Sequence, residues 1–281
     1  MTESVRIAAW NVNSLKVRLP QVLQWLQDQE RLKQPIDALC LQELKLTDEN
    51  YPHQALEDAG YVSLVAGQKT YNGVAIIVRR AALASTATDM ATTFLKPVRN
   101  IPQYLDDQQR ILAATICFQG MQPMRLISAY FPNGQAPDSD KFIYKLSWLN
   151  ALENWLKQEL SENQRLALLG DFNIAPSDID VHDPSKWIGQ NLVSPQERDA
   201  FARLINLGMH DSFRMFEQAP KTFSWWDYRM MGFRRNAGMR IDHILLSDDL
   251  KNKCIASTID KEPRTWEQPS DHAPVVAQLK P

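Results

Sequence analysis

The sequence predicts a layered α/β fold in a single domain. Short apolar runs with the length and composition of buried strands alternate with longer segments that have the period of amphipathic helices. The 281 residues are 44% hydrophobic and 23% charged, which is the composition of a globular chain with a sizeable core. The sequence contains no Ser/Gly tract, long charge run of one sign or low-complexity segment that could serve as a linker, so we expect one domain over residues 1–281.

Three segments have the pattern of helices that cover a sheet. In RLPQVLQWLQDQ, and again between Phe142 and Leu160, apolar residues recur at the i, i+3, i+4 and i+7 spacing of an amphipathic helix. The third segment is SPQERDAFARLINLG, in which Ser194 and Glu197 have the spacing of a capping box and Gly208 suits the helix end.

Most of the predicted strands end at a polar residue of a type that performs chemistry. A single such residue is more often a cap or turn residue. Because strands of a layered sheet run side by side, several of them can meet at one edge, where α/β folds place their sites. We therefore expect one site at that edge. Its candidate residues follow or lie within VRIAAW, IDALCLQ, MRLISAY, LALLG and MRIDHILL, and they are Asn11, Asn13, Glu43, Tyr130, Asp171, Asn173 and Asp242.

The chemistry of these side chains indicates a hard metal ion and a phosphate ester. The set offers carboxylates, amides and a phenol, and Asp271 and His272 add a further carboxylate and an imidazole. It contains no cysteine or second histidine at ligand spacing, so it suits Mg²⁺ or Mn²⁺ and not a structural zinc. Hydrolysis of a phosphodiester needs an aligned water, neutralised phosphate oxygens and help for the leaving oxygen, and these groups can supply all three.

The charge distribution leaves the nucleic-acid question open. The net charge of −2 argues against a protein that holds nucleic acid by bulk positive charge. The segment YRMMGFRRNAGMR nevertheless concentrates Arg229, Arg234, Arg235 and Arg240 among aromatic and methionine side chains, a mixture that suits phosphates and exposed bases. A solvated loop explains this segment equally well.

Cysteine usage and the lack of long apolar segments predict a cytoplasmic protein. Cys40, Cys117 and Cys254 are scattered and odd in number, which indicates buried free thiols. No run approaches the ~20 apolar residues of a membrane span, and MTESVRIAAW has no apolar stretch of secretory length.

The order of several short motifs resembles that of the exonuclease III family of DNA-repair nucleases. The motifs run from residue 10 to residue 274 and are WNVNSL, LQELKL, YNGVAIIV, YFPNG, GDFNIAP, RIDHILLS and SDHAP. GDFN and SDH are shared with the wider superfamily of endonucleases, exonucleases and phosphatases, whereas WNVNSL, QELK and SWWDYR are narrower. The resemblance implies a four-layered α/β sandwich, in which two packed, mainly antiparallel β-sheets are flanked by helices and the site lies at one edge.

The resemblance also implies the reaction. The enzyme would be a phosphodiesterase that depends on Mg²⁺, or on Mn²⁺ as a substitute, and acts as a monomer on damaged or abasic double-stranded DNA in base excision repair. Its activities would be 3′–5′ exonuclease, 3′-phosphatase and 3′-phosphodiesterase, together with AP endonuclease activity at abasic sites. No membrane partner is expected.

Alternative functions stay open. One is a 3′-end processor without AP endonuclease activity, and another is a superfamily phosphatase that acts on an inositol phosphate or phospholipid. A non-catalytic DNA-binding module is a third, but it would not need Glu43, Asp171 and His272 together.

By resemblance, Glu43 is the principal metal ligand. The residues that match metal-site positions of the family are Asn11, Asn13, Glu43, Asp171, Asn173 and Asp271. Asp171 would position or deprotonate the attacking water, and Asn173 would orient Asp171 and contact the phosphate. Tyr130 and Asn133 would contact the scissile and neighbouring phosphates. The number of metal ions stays open.

The SDH motif supplies the histidine of the site. In this family it pairs with the aspartate of RID, which corresponds here to His272 with Asp242. A buried carboxylate fixes the imidazole tautomer and raises its pKa, so that His272 can hold a proton against the phosphate. Asp271, the neighbour in an extended segment, would point the opposite way and face the metal. Whether Asp171 or His272 takes the proton of the water stays open.

The family's apolar pocket for an extruded abasic sugar would be formed here by Trp225, Met239 and Ile241. Residues of these types are more often part of a core, and only the motif context favours a pocket. Arg229 of the basic segment is expected to contact the substrate.

A loop between GDFN and the capped helix bears on access to that pocket. The loop is DVHDPSKWIGQNLVS, residues 180–194, and it resembles a subgroup with members specialised for 3′-end processing. In such members a bulky side chain in this loop can restrict the entry of an abasic site. Trp187 and Ile188 are the bulky candidates in this sequence.

Overall fold

The computed structural model describes residues 4–281, which form four layers. Two β-sheets pack face to face, and helices cover their outer faces. Within the described residues each sheet has six strands, of which one neighbouring pair is parallel and the others are antiparallel. The predicted α/β sandwich with mainly antiparallel sheets is confirmed.

The elements are numbered in chain order. The strands are β1 (Val5–Asn11), β2 (Ala38–Gln42), β3 (Tyr61–Ala66), β4 (Val74–Arg79), β5 (Leu95–Arg99), β6 (Ile111–Ile116), β7 (Met124–Tyr130), β8 (Leu166–Asp171), β9 (Met209–Asp211), β10 (Asp242–Ser247), β11 (Cys254–Ile259) and β12 (Val275–Leu279). The helices are α1 (Leu15–Arg31), α2 (His53–Asp58), α3 (Met90–Thr93), α4 (Asp140–Glu162), α5 (Pro184–Trp187), α6 (Pro195–Asn206) and α7 (Asp248–Lys253). The first sheet has the strand order β11-β12-β1-β2-β4-β3, and the second has the order β5-β6-β7-β8-β10-β9.

Strand register brings the polar strand ends to one edge of the two sheets. In the first sheet, the parallel pairing of β1 with β2 aligns Asn11 with the last residue of β2, which precedes Glu43. In the second sheet, Asp171 at the end of β8 is aligned with Tyr130 at the end of β7 and with Asp242 at the start of β10. Because β1 packs directly against β8, the two sets of residues meet across the interface between the sheets.

The main core lies between the two sheets. Ile7 of β1 and Cys40 of β2 pack there with Leu112 of β6 and Leu169 of β8. Because successive side chains of a strand point to opposite faces, the intervening apolar residues pack against the outer helices. Both faces of each sheet are buried, which explains the nearly continuous apolar composition of strands such as LALLG.

Helix α1 covers the outer face of the first sheet, as its apolar pattern predicts. Its buried apolar side chains within RLPQVLQWLQDQ are Val22, Trp25 and Leu26. The indole of Trp25 packs edge-on against that of Trp10 in β1, with ring centroids 5.6 Å apart. Trp25 Nε1 donates a hydrogen bond to Asp260 Oδ2 at 2.8 Å, so the polar atom of this buried ring is satisfied.

Helix α6 begins and ends as the sequence predicts. Ser194 Oγ accepts a hydrogen bond from Glu197 N at 3.3 Å, and Glu197 Oε2 accepts one from Ser194 N at 3.0 Å, which completes the capping box. Gly208 follows the helix with a φ of +94°, a conformation that glycine adopts at low cost. The predicted helical segment from Phe142 to Leu160 lies within α4.

The thiols are free, but they are less buried than predicted. Cys40 is buried between the sheets, whereas Cys117 and Cys254 are partly exposed. Cys254 begins β11, which is an edge strand, so one side of its side chain is uncovered. Over residues 4–281, no helix combines the length and the apolar character needed to cross a lipid bilayer.

Gly170 lies in β8 immediately before Asp171, where no side chain can be accommodated. A Cβ atom at Gly170 would lie against the Ala129 carbonyl oxygen of β7. We expect Gly170→Ala to lower the free energy of unfolding by about 3 kcal/mol or more, because the parallel pairing of β7 with β8 must open.

Gly60→Ala is the matched control for Gly170→Ala. Gly60 has a φ of +87°, but a Cβ atom there would meet nothing within 4 Å, so its replacement should cost only about 1 kcal/mol. Urea unfolding measures both variants. Equal losses for the two glycines would contradict the close approach of β7 to β8 at this point.

Candidate active site

The side-chain amide of Asn11 joins carboxylates that belong to different sheets. Its Nδ2 donates to Glu43 Oε1 at 2.8 Å and to Asp171 Oδ2 at 2.9 Å. Its Oδ1 accepts the backbone N–H of Asn13 at 2.9 Å, which fixes the orientation of the amide. Asn11 and Asp171 are buried, so their hydrogen bond is shielded from water. This bond is a direct link between the first sheet and the second.

The side-chain oxygen atoms of Glu43 and Asn13 contact the ammonium group of Lys45. Lys45 Nζ lies 3.0 Å from Glu43 Oε2 and also donates to Asn13 Oδ1. Glu43, Asn13 and Lys45 all have a positive φ, which non-glycine residues adopt only where the surroundings impose it and which is common at functional sites. Because carboxylate and amide oxygens are the ligands of hard cations, this donor set fits a divalent cation.

Asp271 closes the same side of the site. Its Oδ1 accepts a hydrogen bond from Asn13 Nδ2 at 3.0 Å, and its Oδ2 accepts one from Trp225 Nε1 at 3.1 Å. The adjacent His272 contacts a different group, the carboxylate of Asp242. The two neighbouring side chains of the SDH motif therefore serve different parts of the site.

A buried hydrogen bond joins His272 to Asp242. His272 Nδ1 lies 2.9 Å from Asp242 Oδ2 and 3.0 Å from Oδ1. Ser224 Oγ donates to Asp242 Oδ2 at 2.6 Å and accepts the backbone N–H of Asp242 at 3.1 Å, which holds the carboxylate in place. With Nδ1 bonded to the carboxylate, His272 Nε2 faces Asp171 Oδ2 at 3.7 Å.

Burial and neighbouring charges shift the pKa values of this group. Burial and the neighbouring charge of Asp242 raise the pKa of Asp171 to about 7, against the opposing effects of His272 and of the hydrogen bonds from Asn11 and Asn173. Burial alone would lower the pKa of His272, but the carboxylates of Asp242 and Asp171 raise it to about 10. At neutral pH the imidazole therefore carries a proton, and Asp171 has the pKa of an effective general base.

Asp171, Asp242 and His272 form a second group whose atoms are close enough together to surround a cation. Each offers one ligand atom, and these atoms lie within 4.8 Å of one another. All three residues are buried. Because the imidazole carries a proton at neutral pH, it has no free ring nitrogen for a metal ion, and the donor set beside Glu43 fits a cation better than this group.

Tyr130, Asn133 and Asn173 form a polar wall beside Asp171. Asn133 Nδ2 donates to Asn173 Oδ1 at 2.9 Å, and Asn173 N donates to Asp171 Oδ1 at 2.9 Å. The guanidinium of Arg110 stacks on the Tyr130 ring, 5.0 Å from its centroid. Burial raises the pKa of Tyr130 and the nearby carboxylates raise it further, so the phenol stays protonated and can donate a hydrogen bond.

A cavity of about 580 Å³ opens beside this wall. The residues that line it include Glu43, Tyr130, Asn133, Arg110, Lys141 and Tyr71. Arg110 is buried and Lys141 is exposed, so cationic groups lie both at the base and at the rim of the cavity. Such a cavity suits a strand with an anionic backbone.

The residues expected to form the sugar pocket are packed together. Met239 and Ile241 are buried in an apolar cluster with Ala175, Val181, Leu192 and Val193, against which Trp187 and Trp225 pack. Ile188 is 80% exposed and is not part of this cluster. Of the two bulky candidates in the loop, Trp187 therefore covers the pocket residues and Ile188 does not.

Leu192 packs in the same apolar cluster, a contact that the sequence did not reveal. Its N–H donates to Glu197 Oε1 at 3.1 Å, and its carbonyl oxygen accepts the N–H of Ala175 at 2.8 Å. It has a φ of +74°, which is uncommon for leucine. These bonds hold the side chain in the cluster with Met239 and Ile241. A leucine in a polar loop carries no sequence signal for such a contact.

The basic segment YRMMGFRRNAGMR contains one arginine that is fully buried. Arg240 Nε lies 2.7 Å from Asp180 Oδ1, and Arg240 Nη2 lies 2.7 Å from Asp211 Oδ2. The interpretation of Arg240 as a phosphate contact is therefore wrong, because its charge is paired inside the protein. The exposed arginines of the segment are Arg229, Arg234 and Arg235.

The two buried histidines should titrate in opposite ways in the metal-free protein. Burial and Arg240 lower the pKa of His243 to about 4, whereas carboxylates raise that of His272 to about 10. An NMR titration of the imidazole nitrogens between about pH 5 and pH 9, with a chelator present, should show His272 charged and His243 neutral throughout.

Asp242→Asn should lower the pKa of His272 and leave that of His243 unchanged, because the amide removes the charge that stabilises the imidazolium. A wild-type His272 that titrates near its unperturbed pKa of about 6.5 would contradict this electrostatic account.

The chain matches a known family over most of its length. The profile of the Endonuclease/Exonuclease/phosphatase family matches residues 8–272. The chain is 33% identical to exodeoxyribonuclease III of Haemophilus influenzae, over 98% of this chain and 100% of that protein. It is 29% identical to an exodeoxyribonuclease of Bacillus subtilis, over 96% of this chain and 98% of that protein.

The chain is also similar to solved structures over nearly its whole length. The 3′ phosphatase NExo from Neisseria, bound to a product DNA hairpin, is 41% identical with a TM-score of 0.88, over 98% of this chain and 99% of that chain. An AP endonuclease from Archaeoglobus fulgidus is 31% identical with a TM-score of 0.85, over 98% and 99% of the two chains. The chain is therefore similar to a 3′ phosphatase and to an AP endonuclease alike.

Proposed function

The chain belongs to the endonuclease/exonuclease/phosphatase family, and we propose that it is a DNA-repair nuclease of the exodeoxyribonuclease III type whose main task is to process 3′ ends. The observation that carries this proposal is the meeting of Glu43, Asn11 and Asp171 with the His272–Asp242 pair at one edge of the sheets. The similarity to a 3′ phosphatase supports the preference for 3′ ends.

In the mechanism that we propose, Asp171 orients the attacking water and takes its proton. Its pKa of about 7 lets the carboxylate accept a proton at neutral pH and keep it after the transfer. Hydrogen bonds from Asn11 to one carboxylate oxygen and from Asn173 to the other fix its orientation. The water would therefore be aligned without a further change in the site.

His272 then acts as the charged hydrogen-bond donor. Asp242 holds the imidazole by Nδ1, which leaves Nε2 free to donate to a phosphate oxygen as negative charge builds. The pair is buried, and in such surroundings the interaction between the imidazolium and the phosphate is stronger than in water. Tyr130 and Asn133 would donate to the remaining phosphate oxygens.

The donor set beside Glu43 fits a divalent cation, and we propose that this cation is Mg²⁺. Glu43 would hold it, with Asn13 and Asp271 on the same side of the site. When bound, the cation neutralises charge on the phosphate oxygens and stabilises the departing oxygen.

We propose that the substrate is double-stranded DNA with a damaged or blocked 3′ end, bound by a monomer. The exposed side chains of Arg229 and Lys141 would contact the DNA backbone. Because the whole chain has a net charge of −2, binding should be modest and sensitive to salt.

AP endonuclease activity should be the weaker activity. An extruded abasic sugar would need space beside Met239 and Ile241, and Trp187 and Leu192 pack against that place. The packed side chains would exclude an abasic sugar by size. A 3′ end needs no such pocket, so the enzyme would prefer 3′ ends to internal abasic sites.

The decisive experiment uses purified protein with Mg²⁺ and two end-labelled duplexes, one with a recessed 3′-phosphate and one with an internal abasic-site analogue. We expect removal of the 3′-phosphate at a rate at least about tenfold above abasic-site incision. Asp171→Ala should lower both rates by about a thousandfold, because it removes the proposed general base. Two intact duplexes would refute the nuclease proposal, and faster incision at the abasic site would refute the 3′-end preference.

Opening the pocket should change the specificity. Trp187→Ala combined with Leu192→Ala should raise the ratio of abasic-site incision to 3′-phosphate removal by about tenfold, because the sugar gains space. Ile188→Ala is the control, since Ile188 is exposed outside the cluster and its loss should leave both rates unchanged. An unchanged ratio in a folded double variant would show that another feature excludes abasic sites.

A further inference from the structure

Lys145 places a fully buried ammonium group beneath the active site. It lies in α4 and is 0% exposed. Its Nζ donates to the backbone oxygen of Asn173 at 2.7 Å and to that of Asn133 at 3.2 Å. Its third partner is the carboxylate of Glu197. Lys145 therefore ties the YFPNG and GDFN segments to the start of α6.

Glu197 extends this connection into the loop that covers the sugar pocket. Its Oε1, which accepts from Lys145, also accepts the N–H of Leu192 at 3.1 Å. Its Oε2 accepts from Ser194 N at 3.0 Å and from Ser194 Oγ at 2.6 Å. One carboxylate thus caps α6 and holds the backbone of Leu192.

Side-chain hydrogen bonds near Lys145 form a second connection between the YFPNG segment, the GDFN segment and the loop before α6. Asn133 Nδ2 donates to Asn173 Oδ1 at 2.9 Å, and Asn191 Nδ2 donates to Asn133 Oδ1 at 3.1 Å. Asn191 directly precedes Leu192 in the chain. The residues proposed to contact phosphate and the residue that fills the sugar pocket therefore belong to one hydrogen-bonded unit.

Stability alone does not account for this buried pair. Burial lowers the pKa of Lys145, and the carboxylates of Glu197 and Asp171 oppose that effect. Apolar groups of similar volume would avoid the desolvation of two charges and often stabilise a protein more than a buried ion pair does. Helix α6 needs only Ser194 and Glu197 for its cap. The remaining explanation is that the ammonium group holds the backbone of Asn133 and Asn173 in a fixed position.

We propose that the Lys145–Glu197 pair is a positioning device that couples the phosphate-contacting amides of Asn133 and Asn173 to the loop that carries Leu192. One contact would then set both the geometry at the phosphate and the exclusion of an abasic sugar. Lys145 acts through backbone carbonyl groups, so it is a positioning residue. The predicted change in substrate specificity rests on the proposed function. The predicted coupling between the two segments does not, because it can be measured without a substrate.

The first test is a specificity measurement on Lys145→Met combined with Glu197→Gln, which removes both charges and leaves none unpaired. We expect kcat for 3′-phosphate removal to fall by at least about tenfold, because the amides lose their support. The ratio of abasic-site incision to 3′-phosphate removal should rise by about tenfold, because the Leu192 loop is released. A purely structural role would lower both rates together and leave the ratio unchanged, and that result would overturn the proposal.

The matched control is Arg125→Met combined with Glu159→Gln. Arg125 Nε lies 2.7 Å from Glu159 Oε2 in a buried pair. Arg125 is near the start of β7, whereas Tyr130 is at its other end. The control should keep the wild-type ratio, and a shift of equal size in the control would overturn the assignment to Lys145 and Glu197.

The second test needs no substrate. Amide hydrogen exchange should become at least about tenfold faster in Lys145→Met both around Asn133 and around Leu192, and in neither segment of Arg125→Met. If Lys145→Met does not fold, the double variant of the first test takes its place, because it leaves no buried charge unpaired, and the double control variant replaces Arg125→Met. Faster exchange in only one of the two segments would show that they are not coupled, whatever the outcome of the nuclease assays.

Discussion

The active site depends on two hydrogen bonds that cross from one sheet to the other. Asn11 of the first sheet donates to Asp171 of the second, and His272, which precedes the last strand of the first sheet, pairs with Asp242 of the second. Neither sheet carries the complete set of groups. The packing of the two sheets therefore sets the distance between Glu43 and Asp171, and the rigidity of the sandwich core is what keeps the site in a reactive geometry.

Three buried ion pairs lie near the site. The pair of His272 with Asp242 serves the chemistry, because the imidazole keeps a proton that it can present to the phosphate. The pair of Lys145 with Glu197 supports the loops around it. Arg240 binds two aspartates and fixes the segment before β10, in which Met239 and Ile241 flank it. An unpaired charge at any of these positions would cost several kcal/mol, as estimates for buried ions indicate.

The sequence was sufficient for features that follow from strand register, and insufficient for features that depend on loops. Asn11, Glu43 and Asp171 could be placed together because the apolar pattern fixes where each strand ends and parallel neighbours end at the same edge. Arg240 was misplaced, because its carboxylate partners are distant in the chain and its arginine neighbours are exposed. Trp187 and Ile188 are adjacent and both bulky, and only the packing of the loop decides that the first one is turned inward.

The cross-sheet site is tested most directly by a double-mutant cycle between Asn11→Ala and Asp242→Asn, measured as the single-turnover rate of 3′-phosphate removal. Asn11 acts on the carboxylate of Asp171, and Asp242 acts on the imidazole that faces the same carboxylate. If the two hydrogen bonds support one catalytic unit, the double variant should lose little more than the more damaging single variant. Losses that multiply, so that each variant has its full effect in the presence of the other, would contradict a single unit assembled across the two sheets.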